Sequence, residues 1–155
     1  MHGRVITIGL SDSLAGTGIQ GSVKAGHSLG GYVMTVVTAI TAQNTNTVEA
    51  LQPLPYDLIM RQFHAVMQDV GCDAIHIGML PDEETVNAIG DVLDEIWEMG
   101  KFPVVIDPVM INSAGHELID KATKDAIKRR LLIRATVLTP NIYEASCLTG
   151  LDITS

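Results

Sequence analysis

The chain has 155 residues, of which 46% are hydrophobic and 18% are charged, and its net charge at pH 7 is -8. These values exclude a disordered chain and predict one compact domain with a hydrophobic core. The acidic balance argues against nucleic acid or an anionic membrane surface as the main partner. No apolar run has membrane-spanning length, and two cysteines are too few for a disulfide framework, so we expect a soluble cytoplasmic protein.

The first predicted unit is a strand, a loop and a helix. Residues 4–8 form a β-branched run that predicts a buried strand ending near Gly9. The loop contains Gly16 and Gly18, and residues 17–29 carry apolar side chains at helical spacing. This order can hold a polar ligand on backbone N–H groups, although a plain turn between strand and helix explains the same residues.

Residues 16–21, Gly-Thr-Gly-Ile-Gln-Gly, also match the G-x-G-x-x-G fingerprint of dinucleotide-binding proteins. In those proteins the first glycine lies at the strand end, whereas several loop residues precede Gly16 here. The second strand also runs into Thr41-Ala42-Gln43-Asn44 and lacks the terminal Asp or Glu that holds a ribose. A dinucleotide-binding oxidoreductase therefore stays as an alternative function.

The rest of the chain alternates between strands and helices. Strands are predicted at residues 32–40, 73–78, 102–106 and 135–138, and helices at about 56–70, 81–100, 119–132 and 141–148. Residues 44–54 fit a short strand or a flap. The alternation predicts an α/β fold with a doubly wound, mostly parallel sheet, right-handed crossovers and helices on both faces.

Polar and glycine residues cluster where the predicted strands end, which is where ligands bind in such sheets. The cluster consists of Asp12, Gln43, Gly78, Asp107 and Asn141. Asp107 and Glu144 are candidate Mg²⁺ ligands because the ion prefers carboxylates, waters and phosphate oxygens, and Asn141 is a candidate for binding a phosphate. Asn141 and Glu144 also have the N-x-x-E spacing of a helix capping box, which spacing alone favours.

Two further side chains at strand ends are candidates for binding a ring. The amide of Gln43 donates and accepts hydrogen bonds side by side, which suits the edge of a heteroaromatic ring. A turn residue explains Gln43 equally well. Met79 lies beside Gly78, although a core position fits it better, and the histidines show no metal-ligand spacing.

Five segments of the chain together match a known family pattern. They are TIGLSDSLAGTGIQGSVK, VVTAITAQNT, HIGML, VVIDPVM and LTPNIYEAS, in this order and spread over nearly the whole chain. They resemble the hydroxymethylpyrimidine/phosphomethylpyrimidine kinases of thiamine biosynthesis, within the ribokinase-like superfamily. The resemblance implies phosphorylation, dependent on ATP and Mg²⁺, of a pyrimidine hydroxymethyl group and then of its monophosphate.

The resemblance also implies which residues contact the pyrimidine. Gln43 would face the ring, with Met79 and Val109 packed near it. Ser22 stands where the family usually has an Asp that accepts a hydrogen bond from the pyrimidine amino group. A hydroxyl can accept that bond without the charge-assisted strength of a carboxylate. His76 stands where lysine is common, so the exact substrate stays open.

Asp107, Asn141 and Glu144 would lie towards the ATP phosphates and the metal by the same resemblance. The family continues for about as much chain again, and that part holds a glycine-rich anion hole and the catalytic base. No G-T-G-C or G-x-G-D segment follows Asp152. We therefore expect residues 1–155 to be the N-terminal part of a single ribokinase-like kinase domain that does not transfer phosphate alone. A non-catalytic pyrimidine-binding or interaction protein made from half of this fold is the alternative.

A partial sheet of this kind predicts a partner. The last predicted strand would leave unpaired N–H and C=O groups at a sheet edge, beside apolar surface. We therefore expect a homo-oligomer that associates through this edge, or binding of a separately expressed C-terminal half of a related kinase.

Overall fold

Six strands form one sheet in a computed structural model that describes residues 3–100, 102–112, 115 and 117–154. The strands are β1 (Arg4–Asp12), β2 (Tyr32–Gln43), β3 (Val48–Pro53), β4 (Ala74–Ile77), β5 (Val104–Ile106) and β6 (Val137–Leu138). Their order is β3-β2-β1-β4-β5-β6, with β3 antiparallel to β2 and all other neighbours parallel. The predicted α/β class and mostly parallel sheet are confirmed.

Helices alternate with the strands along the chain. They are α1 (Gly18–Ser28), α2 (Tyr56–Asp69), α3 (Glu83–Met99), α4 (Lys121–Ala126) and α5 (Ile142–Thr149). Because crossovers between parallel strands are right-handed, α1 lies on one face of the sheet and α3 and α4 lie on the other. Helix α2, which follows the antiparallel strand β3, lies on the same face as α3. Helix α3 packs against both α2 and α4. Among the described residues, no helix has the length and apolar character needed to cross a membrane.

The core lies between the sheet and the α2–α3 layer. Alternate side chains of the central strands are fully buried there, namely Ile6, Ile8, Ile75 and Ile77, together with Ile59 and Phe63 from α2 and Val86, Ile89 and Val92 from α3. Burial of each such side chain stabilises the fold by roughly 1.5–3 kcal/mol. The 3.6-residue period of α2 and α3 therefore fixes which face of each helix meets the sheet.

Strand β1 is longer than predicted. It continues to Asp12, so the expected end near Gly9 is wrong. Its last residues pair with β2, with Asp12 opposite Thr41, after a register shift at Gly9/Leu10. The strand persists because β2 supplies backbone partners from a distant part of the chain, which local sequence does not reveal.

Other boundaries differ by a few residues. The 44–54 segment forms the antiparallel strand β3, whereas the predicted strands at 102–106 and 135–138 shorten to β5 and β6. The predicted 119–132 helix begins at Lys121, because the Asp120 side chain caps it by accepting the Thr123 N–H at 2.9 Å. Beyond α4 the chain continues as a π-helical turn, Ile127–Leu131, and a 3₁₀ turn, Leu132–Arg134.

Candidate active site

A cavity of about 330 Å³ opens at the carboxyl ends of the parallel strands. Its lining includes all four residues predicted to contact a pyrimidine, Ser22, Gln43, Met79 and Val109, and also Asp107. These residues come from α1, β2 and the loops after β4 and β5. The strand order brings them together because β1, β4 and β5 are adjacent and parallel. The volume is in the range of small-molecule sites.

Gln43 is the last residue of β2, and hydrogen bonds hold its backbone but not its side chain within the described residues. The Ser13 hydroxyl donates to the Gln43 carbonyl oxygen at 2.9 Å and accepts the Gln43 N–H at 2.8 Å. Gln43 lines the cavity, and no described residue forms a hydrogen bond with its side-chain amide. The amide can therefore donate to and accept from a ligand.

Ser22 lies on α1 with its hydroxyl hydrogen in use. Its Oγ donates to the carbonyl oxygen of Gly18 at 3.2 Å, one helical turn earlier. The lone pairs on Oγ remain able to accept a hydrogen bond. This is the role that the sequence predicts for Ser22 towards an amino group.

Apolar side chains form much of the remaining wall. They include Leu10, Val48, Leu51, Met79, Val109 and Leu118. Met79 is 7% exposed, so it belongs to the core and also borders the cavity. An apolar wall with a few polar groups is typical of a small-molecule site.

Asp107 follows β5 directly and lines the cavity. Its N–H donates to the Ile77 carbonyl oxygen at 2.8 Å, which holds its backbone beside β4. Among the described residues, its partly buried carboxylate has no hydrogen-bond partner. Such a carboxylate is poised to meet a cation or a donor from a ligand.

Glu144 and Asn141 form a complete capping box and do not line the cavity in the described residues. The Asn141 Oδ1 accepts the Glu144 N–H at 2.9 Å, and Glu144 Oε2 accepts the Asn141 N–H at 2.9 Å. The capping alternative is thus confirmed. Glu144 Oε1 also accepts the Met110 N–H at 3.1 Å, which ties α5 to the loop that carries Asp107. Roles of Asn141 and Glu144 towards phosphate or metal stay predictions.

The loop after β1 is built around the Asp12 carboxylate. Asp12 is 1% exposed and accepts the N–H groups of Leu14, Gly16 and Thr17 at 2.8–3.0 Å, and also the Thr17 hydroxyl. Asp12 therefore organises the loop, although the sequence groups it with the ligand-binding strand ends. A dinucleotide pyrophosphate would find these donors occupied.

Gly18 begins α1 where only glycine fits. Its φ is +58°, and an added Cβ would lie 2.5 Å from the Leu10 carbonyl oxygen. This close approach, and the loop around Asp12, explain the glycines without a nucleotide.

A sequence model of the phosphomethylpyrimidine kinase family matches residues 12–155. The chain belongs to this family. The matched relatives include hydroxymethylpyrimidine/phosphomethylpyrimidine kinase of Streptomyces coelicolor, 36% identical over 149 residues that cover 96% of this chain and 54% of the relative. The thiamine biosynthesis bifunctional protein ThiED of Geobacter sulfurreducens is 41% identical over 152 residues, covering 98% of this chain and 30% of that protein. The kinase resemblance is confirmed, and the dinucleotide-binding oxidoreductase alternative is wrong.

Solved structures of kinases share the fold. The crystal structure of phosphomethylpyrimidine kinase from Clostridium difficile gives a TM-score of 0.91 at 38% identity, covering 98% of this chain and 64% of that one. Pyridoxal kinase from Staphylococcus aureus in complex with AMP-PCP gives 0.83 at 34% identity, covering 100% and 55%. The ribokinase-like class is thus confirmed. The chain spans about half the length of the curated kinases that it matches, 54% in the Streptomyces coelicolor case.

Metal binding by this family member would depend on few protein ligands. The described residues contain no group of three or more His, Cys, Asp or Glu side chains that could hold a metal ion. Mg²⁺ in kinases usually takes one or two carboxylates and completes its shell with waters and phosphate oxygens. Asp107 fits this pattern, since its carboxylate borders the cavity without a described hydrogen-bond partner.

Sequence reasoning assigned no place in the cavity to Thr7 or His76, although it noted His76 where the family commonly has lysine. They are register partners in the β1–β4 pairing, and Thr7 Oγ1 lies 2.9 Å from His76 Nδ1. Burial lowers the pKa of His76, and the nearby charge of Asp107 partly opposes this effect. Their opposite positions on adjacent strands could have identified the pair once the order and register of the strands were known.

Proposed function

We propose that this chain provides the pyrimidine site of a hydroxymethylpyrimidine/phosphomethylpyrimidine kinase that uses ATP and Mg²⁺. One observation carries the proposal: Ser22, Gln43, Met79 and Val109 are far apart in sequence and line the same cavity. That cavity belongs to a family member whose relatives are kinases of thiamine biosynthesis.

The pyrimidine would bind through shape and through hydrogen bonds at its edge. The Gln43 amide would donate to a ring nitrogen and accept from the exocyclic amino group. Ser22 would accept a second hydrogen bond from that amino group, while Met79 and Val109 pack on the ring. These contacts fix the direction in which the hydroxymethyl group points, which is the main task of a kinase substrate site.

ATP-bound Mg²⁺ would neutralise charge on the transferring phosphoryl group. Asp107 is the residue we propose to hold this ion, because its carboxylate borders the pyrimidine cavity. Glu144 would act with it, since Glu144 joins α5 to the Asp107 loop. Asn141 caps the first turn of α5, the positive end of the helix dipole, and would lie towards the phosphates.

Calorimetric titration with hydroxymethylpyrimidine tests the proposal. Gln43→Ala should weaken binding about tenfold or more, because it removes two hydrogen bonds and leaves their ligand partners unpaired. Ser22→Asp should tighten binding about tenfold through a charge-assisted bond. Gln68→Ala, on the exposed face of α2, is the matched control and should change nothing. Equal affinity of wild type and both cavity variants would remove the proposed site.

Kinase assays separate catalysis from binding alone. We expect the 155 residues to bind the pyrimidine without transferring phosphate from ATP, because the family's anion-hole and base motifs do not occur among them. A phosphorylated product at ordinary kinase rates would show that the described elements suffice for transfer. A cytoplasmic location is part of the same proposal.

We propose that the chain associates with a partner chain through the edge of the sheet at β6. Strand β6 ends the sheet, and Val137 and Leu138 are 48% and 39% exposed. Ile142 and Leu151 add exposed apolar surface from the following segment. A strand from a second copy, or from the C-terminal half of a related kinase, would pair with this edge. A monomer in sedimentation at low micromolar concentration, with no mass gained when that half is added, would contradict this.

A further inference from the structure

One wall of the cavity comes from two described segments of the chain after β5, residues 109–112 and 117–118. The lining residues in these wall segments are Val109, Ile111, Asn112 and Leu118. An isolated antiparallel bridge joins Ile111 to Glu117 outside the six-stranded sheet. Because this bridge is not part of the sheet, the wall segments depend on side chains from other elements for their position.

Neighbouring residues in the first turn of α5 hold the two wall segments at separate points. Glu144 Oε1 accepts the Met110 N–H at 3.1 Å in the first segment. The Tyr143 hydroxyl donates to Glu117 Oε1 in the second segment. The Leu118 N–H donates to the Met110 carbonyl oxygen at 2.8 Å and joins the two points. Helix α5 therefore holds both segments of the wall.

Lys124 of α4 completes the hold on Glu117. Its Nζ donates to Glu117 Oε1 at 2.6 Å, lies 3.5 Å from the Tyr143 hydroxyl oxygen and is 5.8 Å from the centre of the Tyr143 ring. The Lys124 side chain is 14% exposed, so its contacts are partly shielded from water. Hydrogen bonds with an ionised partner are roughly twice as strong as those between neutral groups. Glu117 is thus the point at which α4 and α5 both hold the wall.

We propose that Tyr143 and Lys124 are positioning residues of this cavity. Both act through Glu117, which holds the adjacent Leu118 and the bridged Ile111 where they meet a ligand. Neither Tyr143 nor Lys124 lines the cavity, so each affects a ligand only through the wall. The inference rests on the proposed function, because the ligand that tests it is the pyrimidine.

Hydrogen exchange of the Leu118 amide, measured by NMR, tests the hold without any ligand. That amide pairs the two wall segments. In Tyr143→Phe it should exchange about tenfold faster, because the second segment has lost a hydrogen bond to a charged group. The Ile75 amide, which is bonded within the sheet core, should keep its rate within about twofold. This contrast separates local release of the wall from a general loss of stability.

Tyr32→Phe is the matched control for the loss of a hydroxyl. Tyr32 begins β2, is 57% exposed, and its hydroxyl has no hydrogen-bond partner among the described residues. The exchange of the Leu118 amide and the affinity for the pyrimidine should both be unchanged in this variant.

Calorimetry with hydroxymethylpyrimidine tests the effect on the site. Tyr143→Phe, Lys124→Met and Glu117→Ala should each weaken binding by about threefold to tenfold, because the wall is no longer held where the ligand meets it. Tyr143→Phe should add nothing to Glu117→Ala, since both remove the same contact. Additive losses would show that Tyr143 does not act through Glu117 and would overturn the inference.

The remaining outcomes separate this inference from the proposed function. If the Leu118 amide keeps its wild-type rate in Tyr143→Phe and Glu117→Ala, or changes only in step with the Ile75 amide, the positioning role is wrong. If exchange rises and the affinity for the pyrimidine is unchanged, the role is also wrong and the pyrimidine site stands. If wild type does not bind the pyrimidine, the proposed function fails and the positioning role fails with it.

Discussion

Asp12 and Asp107 lie at the ends of parallel strands of the same sheet and have opposite surroundings. Asp12 is buried and accepts three backbone N–H groups and a hydroxyl from its own loop. Asp107 borders the cavity, and no described residue donates to its carboxylate. The difference teaches that a carboxylate at a strand end marks a ligand site only when the adjoining loop leaves its lone pairs unused.

Removal of the Asp12 side chain should give the largest change in stability. Asp12→Ala leaves three loop N–H groups without acceptors, so we expect unfolding free energy to fall by about 3 kcal/mol. Asp107→Ala should change it by less than about 0.5 kcal/mol. Urea denaturation of both variants measures the contrast, and equal losses would show that the two carboxylates do not differ in role.

Glu144 is an intermediate case, buried like Asp12 and joined to the Asp107 loop. Glu144→Gln replaces one acceptor oxygen by an NH₂ group facing a backbone N–H, so we expect a loss of about 2 kcal/mol. The same urea experiment measures it. The exposed Glu98→Gln on α3 is the matched control and should be neutral. A neutral Glu144→Gln would mean that its carboxylate is not committed to the capping box.

Asp107→Asn should affect ligands and leave the fold intact. We expect the Mg²⁺-dependent part of ATP binding to fall about tenfold, since an amide is a poorer ligand for a hard cation than a carboxylate. Calorimetry with and without EDTA isolates that part. If the variant binds Mg²⁺ and ATP as wild type does, Asp107 is not the metal ligand.

Low pH should remove the stabilisation of the fold that the Asp12 carboxylate provides. We expect this effect to be smaller than those described above. Burial raises the pKa of this carboxyl, but the hydrogen bonds from Thr17, Leu14 and Gly16 outweigh it and hold the pKa below its ordinary value. The stabilisation is therefore complete above the unfolded pKa of about 3.9 and is lost as pH falls through the lower folded value. Urea denaturation at pH 7, 4 and 3 should show wild type and Asp12→Asn converging in acid. A difference in unfolding free energy between the two proteins that stays constant with pH would contradict this.

The sequence predicted the scaffold because helical periodicity and β-branched runs are local features, and they located α2, α3 and β2. The kinase resemblance named Gln43 and Ser22, which the structure places in the lining of one cavity. Other features depend on residues that meet only after folding. Thr41 of β2 pairs with Asp12 and so extends β1 to that residue. His76 contacts Thr7, which lies 69 positions away in the sequence.

Asp12 and Asp107 look alike in sequence for the same reason. Each is an acidic residue after a β-branched run, and nothing local shows how many N–H groups the following loop will turn inward. Asn141 and Glu144 were ambiguous because N-x-x-E suits both a capping box and a phosphate site. In the structure the Glu144 carboxylate is buried and accepts the Met110 N–H. These two residues are 34 positions apart, so the local sequence does not indicate their contact.

A crystal structure of the protein with hydroxymethylpyrimidine bound tests the central claim most directly. We predict the ring between Met79 and Val109, its amino group within hydrogen-bond distance of Gln43 and Ser22, and the Asp12 loop unchanged. A ring bound outside the cavity, or bound in it without contact to Gln43, would contradict the account.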